Sequence, residues 1–313
     1  MYCFFPSLYA GPILSYGDMR RTLRRSRLSL ASCAKGIRLL LAGMAQKLIL
    51  SNTMYELWLS VRETDPDRLP AFSAWIGIAA FGFFVYFELV SFALIACGMG
   101  AMMGFDLPQN FNEPFTAVSL KDLISRFNVT LYGWVKSYVY MPLSSALKGG
   151  AGELAAVFLS VIAGMLWYGI GVRTLLFAAV ISLLLLIERL LGKRLEKLPA
   201  AVRRIGLIVI MLITLPILAF QSPVDAVRYA GAMFGANRIA ADMLSENLLK
   251  TYFWFIAACI FMSSGIISRL RKKADGLSIY IVTVIQPVWV IALLLLCTSF
   301  MISGNGMLAG FLL

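Results

Sequence analysis

Seven stretches of this sequence are apolar over a length that can cross a bilayer as a helix. A hydrocarbon core about 30 Å thick requires about 20 such residues in one helix. The stretches cover residues 39–57, 71–103, 154–170, 174–190, 205–221, 251–267 and 279–301. We therefore predict an all-α, polytopic integral membrane protein with about seven transmembrane helices.

The composition supports the membrane class and argues against a nucleic-acid binder. Hydrophobic residues make up 60% of the 313 positions and charged residues only 14%, whereas a soluble domain is about one quarter charged. A net charge of +12 could indicate nucleic-acid binding. The basic residues, however, cluster between the apolar runs, so membrane topology explains them and no nucleic-acid partner is expected.

The distribution of lysine and arginine predicts the orientation in the membrane. Four connections carry 21 of the 28 basic residues, namely 20–38, 105–150, 189–204 and 269–273. The alternate connections carry 6, at 58–70, 171–173 and 222–250. Cytoplasmic loops are enriched in basic residues. We therefore expect a multi-pass protein of the cell membrane, with the lipid bilayer as its partner and the basic connections in the cytoplasm.

The segment 105–150 departs from this simple alternation. It combines three prolines and many aromatic residues with six charged side chains in its first 32 positions, 105–136. Irregular backbone at membrane depth persists where protein buries it or where it lines a wet cavity. An amphipathic helix at 120–140 lying in the interface is the alternative. We predict re-entrant or interfacial helices around 105–150.

Histidine is absent from the whole chain, and the five cysteines are scattered without a metal-ligand spacing. A zinc or haem site needs imidazole or clustered thiolate ligands. Cysteines in apolar segments are usually small buried hydrophobes. The sequence therefore predicts no metal site and no cofactor.

Five stretches of the sequence, taken in order, carry a resemblance to a known family. They are FFPSLYAGPI (4–13), GIRLLLAGMAQK (36–47), YFE (86–88) with GFDLPQNFNEPF (104–115), RFNVTLYGWVKSYVYMPL (126–143), and GMLWYG (164–169). These resemble the FFPxxxAGPI, YFDFSGYSD, GFxxPxNFNxPY, RWHxSLxxWxxxYxYxPL and GLWHG elements of the membrane-bound O-acyltransferases, together with the helix that follows the first element. The likeness is greatest to the bacterial branch that includes alginate O-acetyltransferases and the D-alanyl transfer protein of teichoic acid modification.

The resemblance extends over about 240 residues, and it predicts the domain organisation. We expect one membrane domain over 1–313, with a family-like core at 1–240 and transmembrane helices of weaker resemblance at 251–313. Glu188-Arg189 follows the GLWHG-like stretch at the family's usual distance. Family members carry several helices before the first element, so we also expect that the chain lacks the family's first helices.

The resemblance implies an activity and its partners. The family transfers an acyl group from a cytoplasmic thioester, either an acyl carrier or acyl-CoA, to a hydroxyl reached from the other side. The acceptor in the bacterial branch is a cell-envelope polysaccharide or a teichoic acid. A substrate tunnel is expected from Arg126, Trp134, Tyr138, Tyr140 and Trp167. Aromatic residues that anchor helices at the membrane interface are the alternative for the last four.

The chain departs from the family pattern at two positions that bear on catalysis. Asn128 stands where the RWHxSL signature has histidine, and Tyr168 stands where GLWHG has the catalytic histidine. Histidine titrates near neutral pH, whereas tyrosine does so near 10 and asparagine not at all. Asn128 can still donate a hydrogen bond to an oxyanion. Glu88, which matches the aspartate of YFDFSGYSD, is a candidate base or a carboxylate paired with Lys47 or Arg126.

Two functional hypotheses therefore follow from the sequence. The first is an O-acyltransferase acting on a cell-envelope polymer, with Tyr168, Asn128 and Glu88 as its candidate catalytic residues. The second is a pseudoenzyme of the same fold that acts as a membrane interaction partner. A transporter or channel subunit ranks below both, because the two halves show no broken-helix repeat.

Overall fold

The computed structural model describes residues 11–26, 28–241, 243–266 and 279–302. The FFPSLYAGPI motif therefore lies almost wholly outside the described residues, as does the basic connection 269–273. The described chain is helical and contains no strand. This confirms the all-α prediction.

The described α-helices differ widely in length, from four to 32 residues. In chain order they are α1 Tyr16–Arg25, α2 Leu30–Ala45, α3 Asn52–Arg62, α4 Ala71–Met102, α5 Leu120–Arg126, α6 Val129–Val135, α7 Met141–Ala146, α8 Gly150–Leu166, α9 Val172–Leu195, α10 Ala200–Thr214, α11 Pro216–Ala219, α12 Pro223–Met233, α13 Met243–Ser263 and α14 Ile279–Ile302. π-helical turns at Gln46–Ser51 and Lys136–Tyr140 join α2 to α3 and α6 to α7. A 3₁₀ turn covers Pro114–Thr116.

Three described stretches are long and apolar enough to cross a membrane by length and composition. They are Ala71–Met102, Val172–Gly192 and Ala200–Ala219. Gly150–Leu166 and Val290–Ile302 are apolar but shorter. The helices reproduce the positions of the apolar runs, while the number of seven crossings stays a prediction. The segment 105–150 forms short helices rather than one amphipathic helix over 120–140, because Asn128 adopts a left-handed backbone conformation between α5 and α6.

Two compact units divide the chain. Of the described residues, unit 1 takes those within 11–56, Phe83–Asn112 and 254–302, and unit 2 takes those within Leu57–Gly82 and Glu113–Phe253. Both units draw on α3 and α4, whose residues are shared between them. The division into a family-like core at 1–240 and transmembrane helices of weaker resemblance at 251–313 stays a prediction.

In unit 1, glycines let α2 pack directly on the backbone of α4. A Cβ on Gly36 would lie 2.6 Å from the carbonyl oxygen of Gly98, and one on Gly43 would lie 2.8 Å from that of Ser91. Such close approach of two helices requires residues without side chains. Gly100 faces Leu107, and Gly104 follows the end of α4 with a φ of 82°. The close packing of α2 on α4 therefore depends on Gly36, Gly43 and Gly98.

In unit 2, two apolar clusters hold the helices together. Trp58 is buried with its ring centroid 5.2–5.6 Å from those of Phe81, Phe220 and Tyr229. A second cluster joins α5 to α9 through Leu120, Phe177 and Ile181, against which Leu207 and Met211 of α10 pack. Offset and edge-to-face aromatic pairs add to the free energy gained by burial. The second cluster fixes α5, which leads directly into Asn128.

Candidate functional site

Asn128 occupies a strained backbone position between α5 and α6. Its φ of 56° lies in the left-handed region, where asparagine is tolerated better than most residues. Its side-chain oxygen Oδ1 accepts a hydrogen bond from the backbone N–H of Leu131 at 3.3 Å, so Asn128 caps the N-terminus of α6. Because Oδ1 is used by the backbone, the Nδ2 group is directed elsewhere.

Tyr168 lies just beyond the end of α8 and receives that Nδ2 group. Asn128 Nδ2 donates a hydrogen bond to the phenol oxygen of Tyr168 at 2.8 Å. Two positions separated by 40 residues in the sequence, both expected from the family pattern, are therefore in direct contact. Since the phenol oxygen accepts from Asn128, its own O–H hydrogen is not used in this contact. We call these two residues the Asn–Tyr pair.

Glu188 of α9 fixes the start of α5, and so the approach to Asn128. Its Oε2 atom accepts from the backbone N–H of Leu120 at 2.5 Å, and Oε1 accepts from that of Lys121 at 3.3 Å. A carboxylate at a helix N-terminus satisfies free N–H groups and interacts favourably with the helix dipole. The sequence marked Glu188 by its spacing but gave it no role. The structure makes it a positioning residue for the segment that carries Asn128.

Arg126 and Arg189 each form an ion pair within unit 2. Arg126 Nε lies 2.7 Å from Asp122 Oδ1, and its NH1 group donates to Thr116 Oγ1 at 3.2 Å. Arg189 pairs with Glu153 at 2.9 Å, which ties α9 to α8. Glu88 and Arg126 therefore have different partners. The tunnel role expected for Arg126 stays a prediction.

Glu88 forms a buried ion pair in unit 1. Its carboxylate oxygens lie 2.6 and 2.5 Å from Lys47 Nζ, and Ser51 Oγ donates to Oε2 at 2.6 Å. Glu88 is 2% exposed and Lys47 is 7% exposed. The structure therefore gives the paired alternative, with Lys47 as the partner. Both carboxylate oxygens of Glu88 therefore already accept hydrogen bonds within unit 1. The catalytic role expected for Glu88 stays a prediction.

The aromatic residues expected in a substrate tunnel are mostly on the surface of the described chain. Trp134 is 41% exposed, Tyr138 is 58% exposed and Trp167 is 51% exposed, while Tyr140 is intermediate. The rings of Trp134 and Tyr138 are tilted against each other at 5.7 Å. Such exposure is also typical of aromatic anchors at a membrane interface. Their assignment to a tunnel stays a prediction.

Three curated relatives resemble the chain over part of its length. A probable alginate O-acetylase of Pseudomonas syringae pv. tomato is 27% identical over 247 residues, which are 77% of this chain and 46% of that protein. A peptidoglycan O-acetyltransferase of Helicobacter pylori is 27% identical over 172 residues, 54% of this chain and 32% of that protein. A teichoic acid D-alanyltransferase of Lacticaseibacillus rhamnosus is 28% identical over 148 residues, 44% of this chain and 36% of that protein.

These matches share one property: the chain spans less than half the length of each relative. The family model for the membrane-bound O-acyltransferases matches residues 1–224, which include both members of the Asn–Tyr pair and also Glu88 and Glu188. The match covers more than half of the sequence and agrees with the motifs quoted above. The chain therefore belongs to the membrane-bound O-acyltransferase family.

Proposed function

We propose that this chain transfers an acyl group from a cytoplasmic thioester to a hydroxyl of a cell-envelope polymer. The contact between Asn128 and Tyr168 carries the proposal, because the chain brings together the two positions at which the family pattern has histidine. The three relatives support the class of acceptor, since their names specify alginate, peptidoglycan and teichoic acid. The donor is proposed as an acyl carrier or acyl-CoA on the family resemblance alone.

The Asn–Tyr pair suits stabilisation of an oxyanion better than removal of a proton. When the acceptor hydroxyl attacks the thioester carbonyl, negative charge develops on the carbonyl oxygen. The phenol O–H of Tyr168 and the second Nδ2 hydrogen of Asn128 are two donors that could bind this oxygen. One such donor contributes about 3 kcal/mol to the barrier reduction in enzymes that use them.

The remaining steps balance without a titrating side chain. Collapse of the tetrahedral intermediate breaks the carbon–sulfur bond and releases the thiolate. The proton of the acceptor hydroxyl ends on this thiolate, and the products are an ester and a thiol. Because neither asparagine nor tyrosine titrates near neutral pH, the proposed rate depends little on pH between about 6 and 8.

A second candidate function is that of a pseudoenzyme acting as a membrane interaction partner. The contact between Asn128 and Tyr168 also favours this second candidate. Asn128 and Tyr168 partly satisfy each other's hydrogen bonds, and a neutral amide–phenol pair is also a stable structural arrangement. Neither residue can replace histidine as a general base at its ordinary pKa.

Transfer assays on the full chain separate the two candidates. The purified chain is reconstituted in vesicles with labelled acyl-CoA or acyl carrier and with alginate, peptidoglycan or teichoic acid as acceptor. Transfer by the unmodified chain, reduced about 100-fold in Tyr168→Phe, supports the acyltransferase. The matched control is Tyr132→Phe on α6, which should retain the unmodified rate. No transfer by the unmodified chain, with an active family member alongside, supports the pseudoenzyme.

We also propose that the protein crosses the cell membrane several times, with its basic connections in the cytoplasm. The excess of lysine and arginine at 20–38, 105–150 and 189–204 supports this orientation. Single cysteines introduced at exposed Lys197 and exposed Val227 provide the test in a variant lacking the native cysteines. A membrane-impermeant thiol reagent added to intact cells should label position 227 and not position 197. The reverse labelling would contradict the proposed orientation.

A further inference from the structure

Two adjacent arginines, Arg203 and Arg204, lie near the start of α10. We call them the arginine pair. Their side chains are half-buried, and the Nε atom of each is fully covered. Within the part of the chain that the structure describes, neither Nε atom has a hydrogen-bond partner. Because buried polar groups are nearly always hydrogen-bonded, two adjacent exceptions on charged side chains call for an explanation.

The acidic side chains of α8, α9 and the connection to α10 do not supply the missing partner. Glu188 accepts from the backbone of Leu120 and Lys121, and Glu153 is paired with Arg189. The first turn of α10 contains no acidic residue. Glu196, in the connection to α10, is exposed and forms no described ion pair with the arginine pair. The described chain therefore leaves two guanidinium groups without a counter-charge.

The place of the arginine pair in the sequence indicates the chemistry of an external partner. It begins the apolar stretch Ala200–Ala219, a candidate membrane span whose most apolar window is only 11% buried by the rest of the chain. A span with so little burial within the described chain leaves an apolar surface for lipid, and the charged end of such a span would lie at the level of the lipid headgroups. Guanidinium groups bind phosphate oxygens through two parallel hydrogen bonds. Exposed Arg194 and Lys197 add positive charge to the same connection.

We propose that the arginine pair is a binding site for the phosphate of an anionic phospholipid. The phosphate oxygens accept from the guanidinium groups, and the acyl chains lie along the apolar surface of α10. Leu207 and Met211 of the same helix pack on the cluster that joins α5 to α9. Occupation of the site therefore stabilises the helix that supports the segment leading to Asn128. The site is separate from the proposed acyl transfer, and its test does not depend on that activity.

Native mass spectrometry of the full chain in detergent, titrated with phosphatidylglycerol, tests the site. We expect the double variant Arg203→Gln/Arg204→Gln to bind phosphatidylglycerol about tenfold more weakly than the unmodified chain. The matched control is Arg173→Gln. Arg173 also lies near the start of a candidate span and is half-buried. Unlike Arg203 and Arg204, it has no buried Nε atom that lacks a hydrogen-bond partner. The control should bind within about twofold of the unmodified chain.

Three further arms decide the outcome. Phosphatidylcholine should bind about tenfold more weakly than phosphatidylglycerol, since it carries no net negative charge. Inorganic phosphate at millimolar concentration should not displace the lipid, and displacement would overturn the lipid assignment in favour of a soluble phosphate. If the glutamine variant does not fold, Arg203→Lys/Arg204→Lys takes its place, with an expected loss of about threefold because lysine lacks the planar fork. Equal binding by the folded variants and the control would overturn the proposal.

Discussion

Two polar contacts, one within each unit of the chain, differ in charge and in the roles that they can have. In unit 1, Lys47 and Glu88 form a buried ion pair, supported by Ser51, among apolar helices. In unit 2, Asn128 and Tyr168 form a neutral contact at the positions where the family pattern has histidine. An ion pair buried in this way is costly to break. A neutral pair costs less to keep and leaves donor hydrogens that a ligand oxygen could accept.

This difference assigns separate roles to the two contacts. The Lys47–Glu88 pair determines how α4 and the π-helical turn at Gln46–Ser51 fit together within unit 1. The Asn–Tyr pair is the candidate for chemistry, although it contributes less to stability. Four substitutions test this division. Thermal unfolding can be followed with a thiol-reactive dye, since Cys97, Cys259 and Cys297 are buried and become accessible on unfolding.

The largest expected effect is that of Lys47→Met. The substitution leaves the buried carboxyl group of Glu88 without its partner, and breaking a buried ion pair in this way costs about 3–5 kcal/mol of unfolding free energy. The double variant Lys47→Met/Glu88→Leu removes both charges and should recover most of the loss. If Lys47→Met and the unmodified protein are equally stable in the dye assay, the ion pair does not hold unit 1 together.

Asn128→Ala is expected to have the next largest effect. It removes the cap of α6 and places alanine at a φ of 56°, and the two together cost about 2–3 kcal/mol. Asn128→Gly keeps the backbone conformation accessible and serves as the matched control, with a loss below about 1 kcal/mol. If the two variants unfold at the same temperature, backbone strain does not contribute to the position of Asn128.

Glu188→Gln should produce a moderate loss of about 1 kcal/mol. Glutamine keeps one oxygen for the N–H of Leu120 but loses the charge that favours the start of α5. Glu196→Gln is the control, because Glu196 is exposed and has no described role in capping. Transfer activity should fall in Glu188→Gln and remain in Glu196→Gln. Unchanged activity in both would show that Glu188 does not position the Asn–Tyr pair.

The smallest effect on stability is expected for Tyr168→Phe. It removes one hydrogen bond, which contributes about 0.5–1.5 kcal/mol. The same change is expected to lower acyl transfer about 100-fold, so stability and activity should separate at this position. Parallel losses in the dye assay and the transfer assay would assign Tyr168 a structural role alone.

The sequence predicted the helical class and the motif positions more successfully than the local geometry. Continuous apolar runs identify long helices such as α4 and α9, because a span must be apolar over its whole length. The family pattern pointed to Asn128 and Tyr168, whose contact the structure then provided. The capping of α5 by Glu188 was not predictable, because the two elements are 68 residues apart in sequence. The same holds for the pairing of Gly36 with Gly98, since their close approach depends on how α2 crosses α4.

Glu88 illustrates where sequence reasoning divides between alternatives. An intramembrane carboxylate is a functional candidate by default, and the family aspartate at this position favoured that interpretation. The geometry favours the paired state, since both carboxylate oxygens contact Lys47 and one also accepts from Ser51. The sequence offered Lys47 and Arg126 as possible partners of Glu88 but could not choose between them. The choice depends on which distant segments pack together, and sequence alone does not show that.

The rate of acyl transfer by the unmodified chain, measured beside Tyr168→His in the same vesicles, decides whether the Asn–Tyr pair supports catalysis. The proposed function predicts measurable transfer by the unmodified chain with little dependence on pH between about 6 and 8. It also predicts that Tyr168→His introduces a dependence on pH near the pKa of histidine, about 6.5. Transfer by Tyr168→His together with none by the unmodified chain would contradict the account and identify the Asn–Tyr pair as the feature of an inactive family member.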